Sequence, residues 1–242
     1  MSAGPVVDVA PRLLVFDLDG TLIDSRQDLT NSVNAMLAHY GKMTLSGDIV
    51  ASYIGDGAGV LVRRALAHAH VIADEPDPHE DEFVEEALEY FIAYYKVHKL
   101  DFTTVYPGVM ESLDAIRRMH PVLPMAVLTN KPVHPSRAIC GQLGLEPYFF
   151  SNYGGNSFSS KKPDPEGLLT LIAEGSAIAG RPIAARETVM IGDSHVDVAT
   201  ARACGAVSLG CMFGLSPESL KAARPDLSVD HASEWPRVLG LI

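Results

Sequence analysis

Leu13-Leu14-Val15-Phe16-Asp17-Leu18-Asp19-Gly20-Thr21 is the stretch on which the fold turns: four apolar residues in a row, then two acids one residue apart, then glycine. An uninterrupted apolar run reads as a strand buried on both faces, the habit of parallel sheets. On an extended segment alternate residues point the same way, which puts both carboxylates on one side about 7 Å apart. Gly20 lets the chain turn where a side chain would obstruct it. Two neighbouring carboxylates can share a divalent cation, and their surroundings can drive their pKa values apart. Asp-Gly pairs also form ordinary turns. The other strand ends therefore have to decide.

Three more runs carry the same signature. Met125 to Leu128 ends in Thr129-Asn130-Lys131, Val189 to Ile191 ends in Gly192-Asp193-Ser194-His195-Val196-Asp197, and Ala206 to Leu209 is a fourth. Helix-period segments lie between them at 109–119, 136–143, 165–179 and 196–204. Alternating strands and helices predict an α/β, doubly wound parallel sheet, whose reactive groups gather beyond the carboxyl ends of the strands. Lys161-Lys162-Pro163-Asp164-Pro165 stands before one of these helices, with Pro163 stiffening the approach. Four segments thus bring acids, a hydroxyl and a lysine to one sheet edge.

Residues 25–104 break this rhythm. Leu29, Val33, Met36, Leu37 and Tyr40 fall on one helical stripe, and Phe83, Val84, Ala87, Leu88, Phe91, Ile92 and Tyr95 on another, with Val60, Leu61, Ala65 and Leu66 between. No strand signal occurs here, so the expectation is an all-helical insertion after the first strand. The division is 1–24 and 105–242 for the α/β domain and 25–104 for the insertion, with hinges at 22–25 and 104–107. The turn Ile54-Gly55-Asp56-Gly57 is expected to approach the active edge. Nine of the sixteen residues from Asp74 to Glu89 are acidic, the mark of a solvated helix face.

The 242 residues suit one core domain with a sizeable insertion, and 47% hydrophobic content is enough to bury it. A formal charge of −11 argues against a nucleic-acid partner and means that an anionic substrate needs local positive charge or a metal. Three cysteines without a CxxC pair fit a reduced, cytoplasmic setting. The first residues lack a basic and apolar leader, and no apolar run approaches the ~20 residues of a membrane helix.

Taken together, DLDGT at 17–21, the threonine of LTN at 128–130, the second lysine of KKPDP at 161–165 and GDSHVD at 192–197 resemble the four motifs of the haloacid dehalogenase (HAD) superfamily. FDLDGTLIDS at 16–25, YIGDGAGVLVRRAL at 53–66, YPGV at 106–109 and LTNK at 128–131 bring it nearest to the phosphoglycolate phosphatase group. The resemblance implies a HAD-like Rossmannoid core with a small helical cap domain. It also implies a Mg²⁺-dependent phosphatase of carbohydrate metabolism acting on a small phosphorylated metabolite, as monomer or homodimer. In it Asp17 is the nucleophile, and Asp19 protonates the leaving alkoxide and later activates water. Metal ligands are the Asp17 carboxylate, the Asp19 carbonyl and the Asp193 carboxylate, with Asp197 supporting the metal from further out; oxygen donors suit a hard cation. Thr129 and Lys162 complete the catalytic set, and Asn130, Gly20 and Thr21 join the substrate site.

For the substrate's far end the expectation falls on Arg63 or its neighbour Arg64, against a plain surface arginine. Substrate choice stays open between 2-phosphoglycolate, pyrophosphate, a sugar phosphate and a nucleoside monophosphate, and a sugar-phosphate mutase shares the core motifs. A response-regulator receiver also holds a phosphoaspartate beside a threonine and a lysine, but it has neither a long helical insertion nor an acid two residues after the aspartate. Lys161 is expected to face solvent, His195 and His134 to be loop or turn residues, Trp235 and Cys204 to pack, and Ser194 to cap a helix or support the metal loop.

Overall fold

The computed structural model describes residues 10–73 and 81–242. In chain order its elements are β1 (Leu13–Phe16), β2 (Ile23–Asp24), α1 (Arg26–His39), α2 (Gly47–Ala51), α3 (Ala58–Ala73), α4 (Asp81–His98), β3 (Thr104–Val105), α5 (Val109–Met119), β4 (Met125–Leu128), α6 (Val133–Gln142) and β5 (Ser151–Tyr153). They continue with α7 (Glu166–Ala179), β6 (Thr188–Gly192), α8 (His195–Cys204), β7 (Val207–Cys211), α9 (Pro217–Ala223), β8 (Leu227–Val229) and α10 (Trp235–Val238).

Six strands form one parallel sheet in the order β5-β4-β1-β6-β7-β8. The chain leaves β1 toward β4 and β5, then returns to build β6, β7 and β8 on the other side. Strand order therefore reverses at β1, and a cleft opens there above the carboxyl ends. β1 is apolar throughout because it serves two layers. Leu14 and Phe16 belong to the cluster holding Leu113, Ile116 and Trp235, whereas Leu13 and Val15 belong to the one holding Leu168, Leu171 and Ala201. Trp235 is fully buried with its ring 5.3 Å from that of Phe16, a packing residue as expected. Cys204 is half-buried against the second cluster.

The insertion is helical and has its own apolar cluster, drawn from α1 to α4 between Leu29 and Tyr95. The passages into and out of it do contain strands: β2 and β3 pair antiparallel, Ile23 opposite Val105 and Asp24 opposite Thr104. Two residues per strand are too few to show a period. The same brevity hid β5, β8 and α2. α6 begins at Val133, three residues earlier than the periodicity places it, because Pro135 is tolerated in a first turn that needs no N–H partner. Ile92, expected on the buried stripe, is 46% exposed. Residues 74–80 of the acidic run lie outside the described residues; Asp81, Glu82, Glu85, Glu86 and Glu89 are exposed on α4. Among the described residues no helix is long and apolar enough to cross a membrane.

Candidate active site

β1 hands its ladder on to Asp17, whose N–H donates to the Ile191 carbonyl at 2.8 Å. The extended conformation ends there. Leu22 and Ile23 both donate to the Leu18 carbonyl (3.0 and 3.1 Å), and Gly20 donates to that of Ile23 (2.9 Å). A tight turn, and not strand alternation, brings Asp19 to the cavity that Asp17 also lines. Gly20 has φ +83°, and a Cβ on it would lie 2.1 Å from Asp193 Oδ2. Its place is thus under the β6 loop, off the cavity wall. Thr21 is buried, its hydroxyl without a hydrogen-bond partner among the described residues, and it too is off the wall.

The β6 end supplies the other acids. Oxygens of Asp17, Asp193 and Asp197 lie within 4.8 Å of one another, and all three residues are buried. Asp193 Oδ2 accepts the Leu215 N–H at 2.7 Å. Asp197 is tied at both oxygens: Oδ1 takes the Lys162 ammonium at 2.6 Å, and Oδ2 takes the N–H and hydroxyl of Ser194 at 3.1 and 2.8 Å. Its reach to Asp193's neighbourhood depends on Gly192, where a Cβ would sit 2.1 Å from Asp197 Cγ. Lys162 Nζ also lies 2.9 Å from Asp17 Oδ1.

Burial pushes the Asp17 carboxyl up to about 6; Lys162 pulls it down without cancelling that, and Asp197 adds to the rise. Burial first and then Asp197 and Asp17 raise Asp193 well above the carboxylate range. Lys162 pays for its burial too, yet Asp17 and Asp197 hold its charge firmly in place. One ammonium against three buried carboxyls leaves excess negative charge, and every donor is oxygen. Such a set fits a hard divalent cation.

On the cap side, Asp19 Oδ1 accepts the Ser25 hydroxyl at 2.5 Å and Oδ2 lies 3.1 Å from Lys131 Nζ. Lys131 in turn donates to the Tyr95 hydroxyl at 2.8 Å, with its ammonium 4.6 Å from that ring's centroid. Neither Lys131 nor Tyr95 stood among the expected site residues. A lysine right after Thr129-Asn130 at a strand end was a usable signal for the first, but the helical stripe disguised Tyr95 as plain core. Thr129 is buried on the cavity wall and its oxygen accepts the Lys131 N–H at 3.2 Å. Asn130 Nδ2 donates to the carbonyls of Lys162 and Gly55, both at 2.9 Å, so this amide ties the loop after β4 to the Lys162 loop and to the turn at 54–57. Its Oδ1 is buried without a partner among the described residues.

The turn at 54–57 does meet the core: besides the Gly55 contact, exposed Lys161 donates to the Asp56 carbonyl at 2.7 Å. Arg63 is not brought to the site. It is half exposed and bound to Asp81 at 2.9 Å, while Arg64 pairs with Asp56 at 2.6 Å. His195, expected in a loop, instead opens α8, where it is exposed and bonds Ser219 on the surface. His134, expected as a turn residue, instead lines the cavity from the start of α6. The cavity itself measures about 530 Å³, its floor Asp17, Asp19 and Thr129 and its roof Ile54, Phe91 and Ile92. Ile92 is exposed because it faces this space.

The family model for haloacid dehalogenase-like hydrolases matches residues 11–205. The chain belongs to the haloacid dehalogenase-like hydrolase family. Among its relatives is a phosphoglycolate phosphatase of Chromobacterium violaceum, 37% identical over 224 residues, covering 92% of this chain and 94% of the relative. Another, from Pseudomonas savastanoi pv. phaseolicola, is 39% identical over 204 residues, covering 84% and 70%. A crystal structure described as a predicted phosphoglycolate phosphatase from Haemophilus somnus superposes with a TM-score of 0.84 at 29% identity, covering 94% of this chain and 97% of that one. The parallel sheet with β1 at its centre is thus the HAD fold, and the chain is a hydrolase of that family.

Proposed function

We propose that this chain is a Mg²⁺-dependent phosphatase that hydrolyses 2-phosphoglycolate to glycolate and phosphate through an aspartyl phosphate on Asp17. The observation that carries the reading is Asp19, held by Ser25 and Lys131 on the wall of the cavity that Asp17 also lines. A group fixed there can give a proton to a leaving alkoxide, which carbon–halogen cleavage would not need. The relatives' names supply the substrate.

The Asp17 carboxylate, the Asp19 carbonyl and the Asp193 carboxylate would hold Mg²⁺, with Asp197 orienting Lys162 and the Ser194 loop. Bound there, the ion neutralises charge shared between the phosphoryl oxygens and the carboxylates. An Asp17 oxygen attacks phosphorus as the ester P–O bond breaks. Asp19 gives its proton to the departing glycolate oxygen. Water then attacks the same phosphorus, Asp19 takes back a proton, and phosphate leaves with Asp17 restored. Lys162 offsets charge at Asp17 throughout, and Thr129 offers its hydroxyl to the phosphoryl group. Asn130 serves by tethering the loops. The cap, 25–104, closes on a core of 1–24 and 105–242 and keeps stray water from the acyl phosphate. A cytoplasmic location belongs to the same proposal, consistent with free Cys140, Cys204 and Cys211.

A second reading, a larger sugar phosphate or nucleoside monophosphate, draws support from the cavity of about 530 Å³, roomier than a two-carbon acid requires. Phosphate release with Mg²⁺ across a panel of esters separates the two. The expected result is that 2-phosphoglycolate leads and that Asp17→Asn falls to background. A hexose phosphate or nucleotide in first place would replace the substrate and leave the chemistry standing.

A further inference from the structure

Lys131 is a second buried ammonium in a site where Lys162 already answers Asp17 and Asp197. Lys131 is only 8% exposed and lies on the cavity wall, on the Asp19 side. An ammonium has three N–H donors. Two of these go to Asp19 and Tyr95, and the third has no partner among the described residues. The Tyr95 hydroxyl accepts from Lys131, and its own O–H proton is likewise uncommitted among the described residues.

We propose that Lys131 of the core and Tyr95 of the cap form the subsite that binds the substrate's carboxylate. The inference rests on the 2-phosphoglycolate reading and adds to it the group that recognises the acid end. Asp19 must reach the ester oxygen, and in that substrate the carboxylate carbon is two bonds from the same oxygen. The carboxylate therefore arrives on the Asp19 side, where Lys131 and Tyr95 each have a donor to spare. A carboxylate leaving water for a buried cavity needs a charge-assisted partner already desolvated there. The other cations do not meet this need. Arg63 and Arg64 are engaged by Asp81 and Asp56, Lys96 is exposed, and Lys99 is turned onto the Lys96 carbonyl. Since one donor comes from each side, the subsite exists only while the cap rests on the core, which would couple recognition of the acid to closure.

The test is the ratio of kcat/KM for 2-phosphoglycolate to that for ethyl phosphate, measured with Mg²⁺ on wild type, Lys131→Met, Lys131→Arg and Tyr95→Phe. Wild type should favour the acid strongly. Lys131→Met should lower the ratio about a hundredfold, chiefly through KM for the acid, with Lys131→Arg recovering part of it. Tyr95→Phe should lower it about tenfold. Equal losses on both esters in Lys131→Met would overturn the proposal, because Lys131 would then act through Asp19 alone. If Lys131→Met does not fold, an unchanged ratio in Tyr95→Phe overturns it instead. A wild type indifferent to the carboxylate would refute the substrate reading itself, whereas a preference that survives both substitutions refutes only the subsite.

Discussion

Asp17 and Asp193 show at single-residue scale what the site costs the apo-protein. Burial raises both carboxyls, Asp17 to about 6, with Lys162 opposing. A carboxyl whose folded pKa lies above its unfolded value favours folding while protonated. That contribution is complete below about 4 and is lost as pH climbs through about 6. Asn at position 17 never ionises and so does not pay it. In metal-free buffer, the melting temperature of Asp17→Asn minus that of wild type should therefore grow between pH 5 and pH 7.5. Mg²⁺ should shrink the difference at the higher pH by stabilising wild type. A difference that stays flat with pH would mean that Lys162, and not burial, governs Asp17.

At the scale of elements, the crossing between core and cap is more than two loose strands of chain. β2 and β3 pair there, Tyr106 donates to the Leu22 carbonyl at 3.1 Å, and buried Asp28 near the start of α1 fastens the return segment. Its carboxylate accepts the N–H of Phe102 (3.1 Å) and both the N–H and hydroxyl of Thr103 (2.8 and 2.6 Å). Asp28→Ala strands the two buried Thr103 donors and should cost about 1–3 kcal/mol, read from the urea midpoint at constant slope. Asp28→Asn should cost less, since its carbonyl oxygen can still accept. An Asp28→Ala midpoint equal to that of wild type would show that β2 and β3 hold the crossing unaided.

Across the whole molecule, three apolar clusters divide the labour: two on the faces of the sheet and one wholly within the cap helices. The proposed cation ligands all belong to the core, whereas the cavity roof belongs to the cap. Hydrogen exchange should register that division. Mg²⁺ alone should slow amides near 17–21, 193–197 and 215, and leave those of α3 and α4 unchanged; a carboxylated phosphonate added with it should then protect the 54–57 turn. Protection of the cap by Mg²⁺ alone would contradict this division.

What could be read along the chain was whatever short-range physics writes there. Unbroken apolar runs made buried parallel strands, 3.6-residue stripes made α1, α3 and α4, and the acids after β1 and β6 marked the edge where the candidate site lies. Tertiary structure alone decided the partners: that a turn presents Asp19, that Asn130 ties loops together, that Arg63 faces Asp81, and that Tyr95 meets Lys131 from 36 residues away. The reason is that a side chain's pattern tells whether it is shielded from water, and this is local. Which group lies opposite it depends on how the cap settles over the sheet, and no window of sequence contains both.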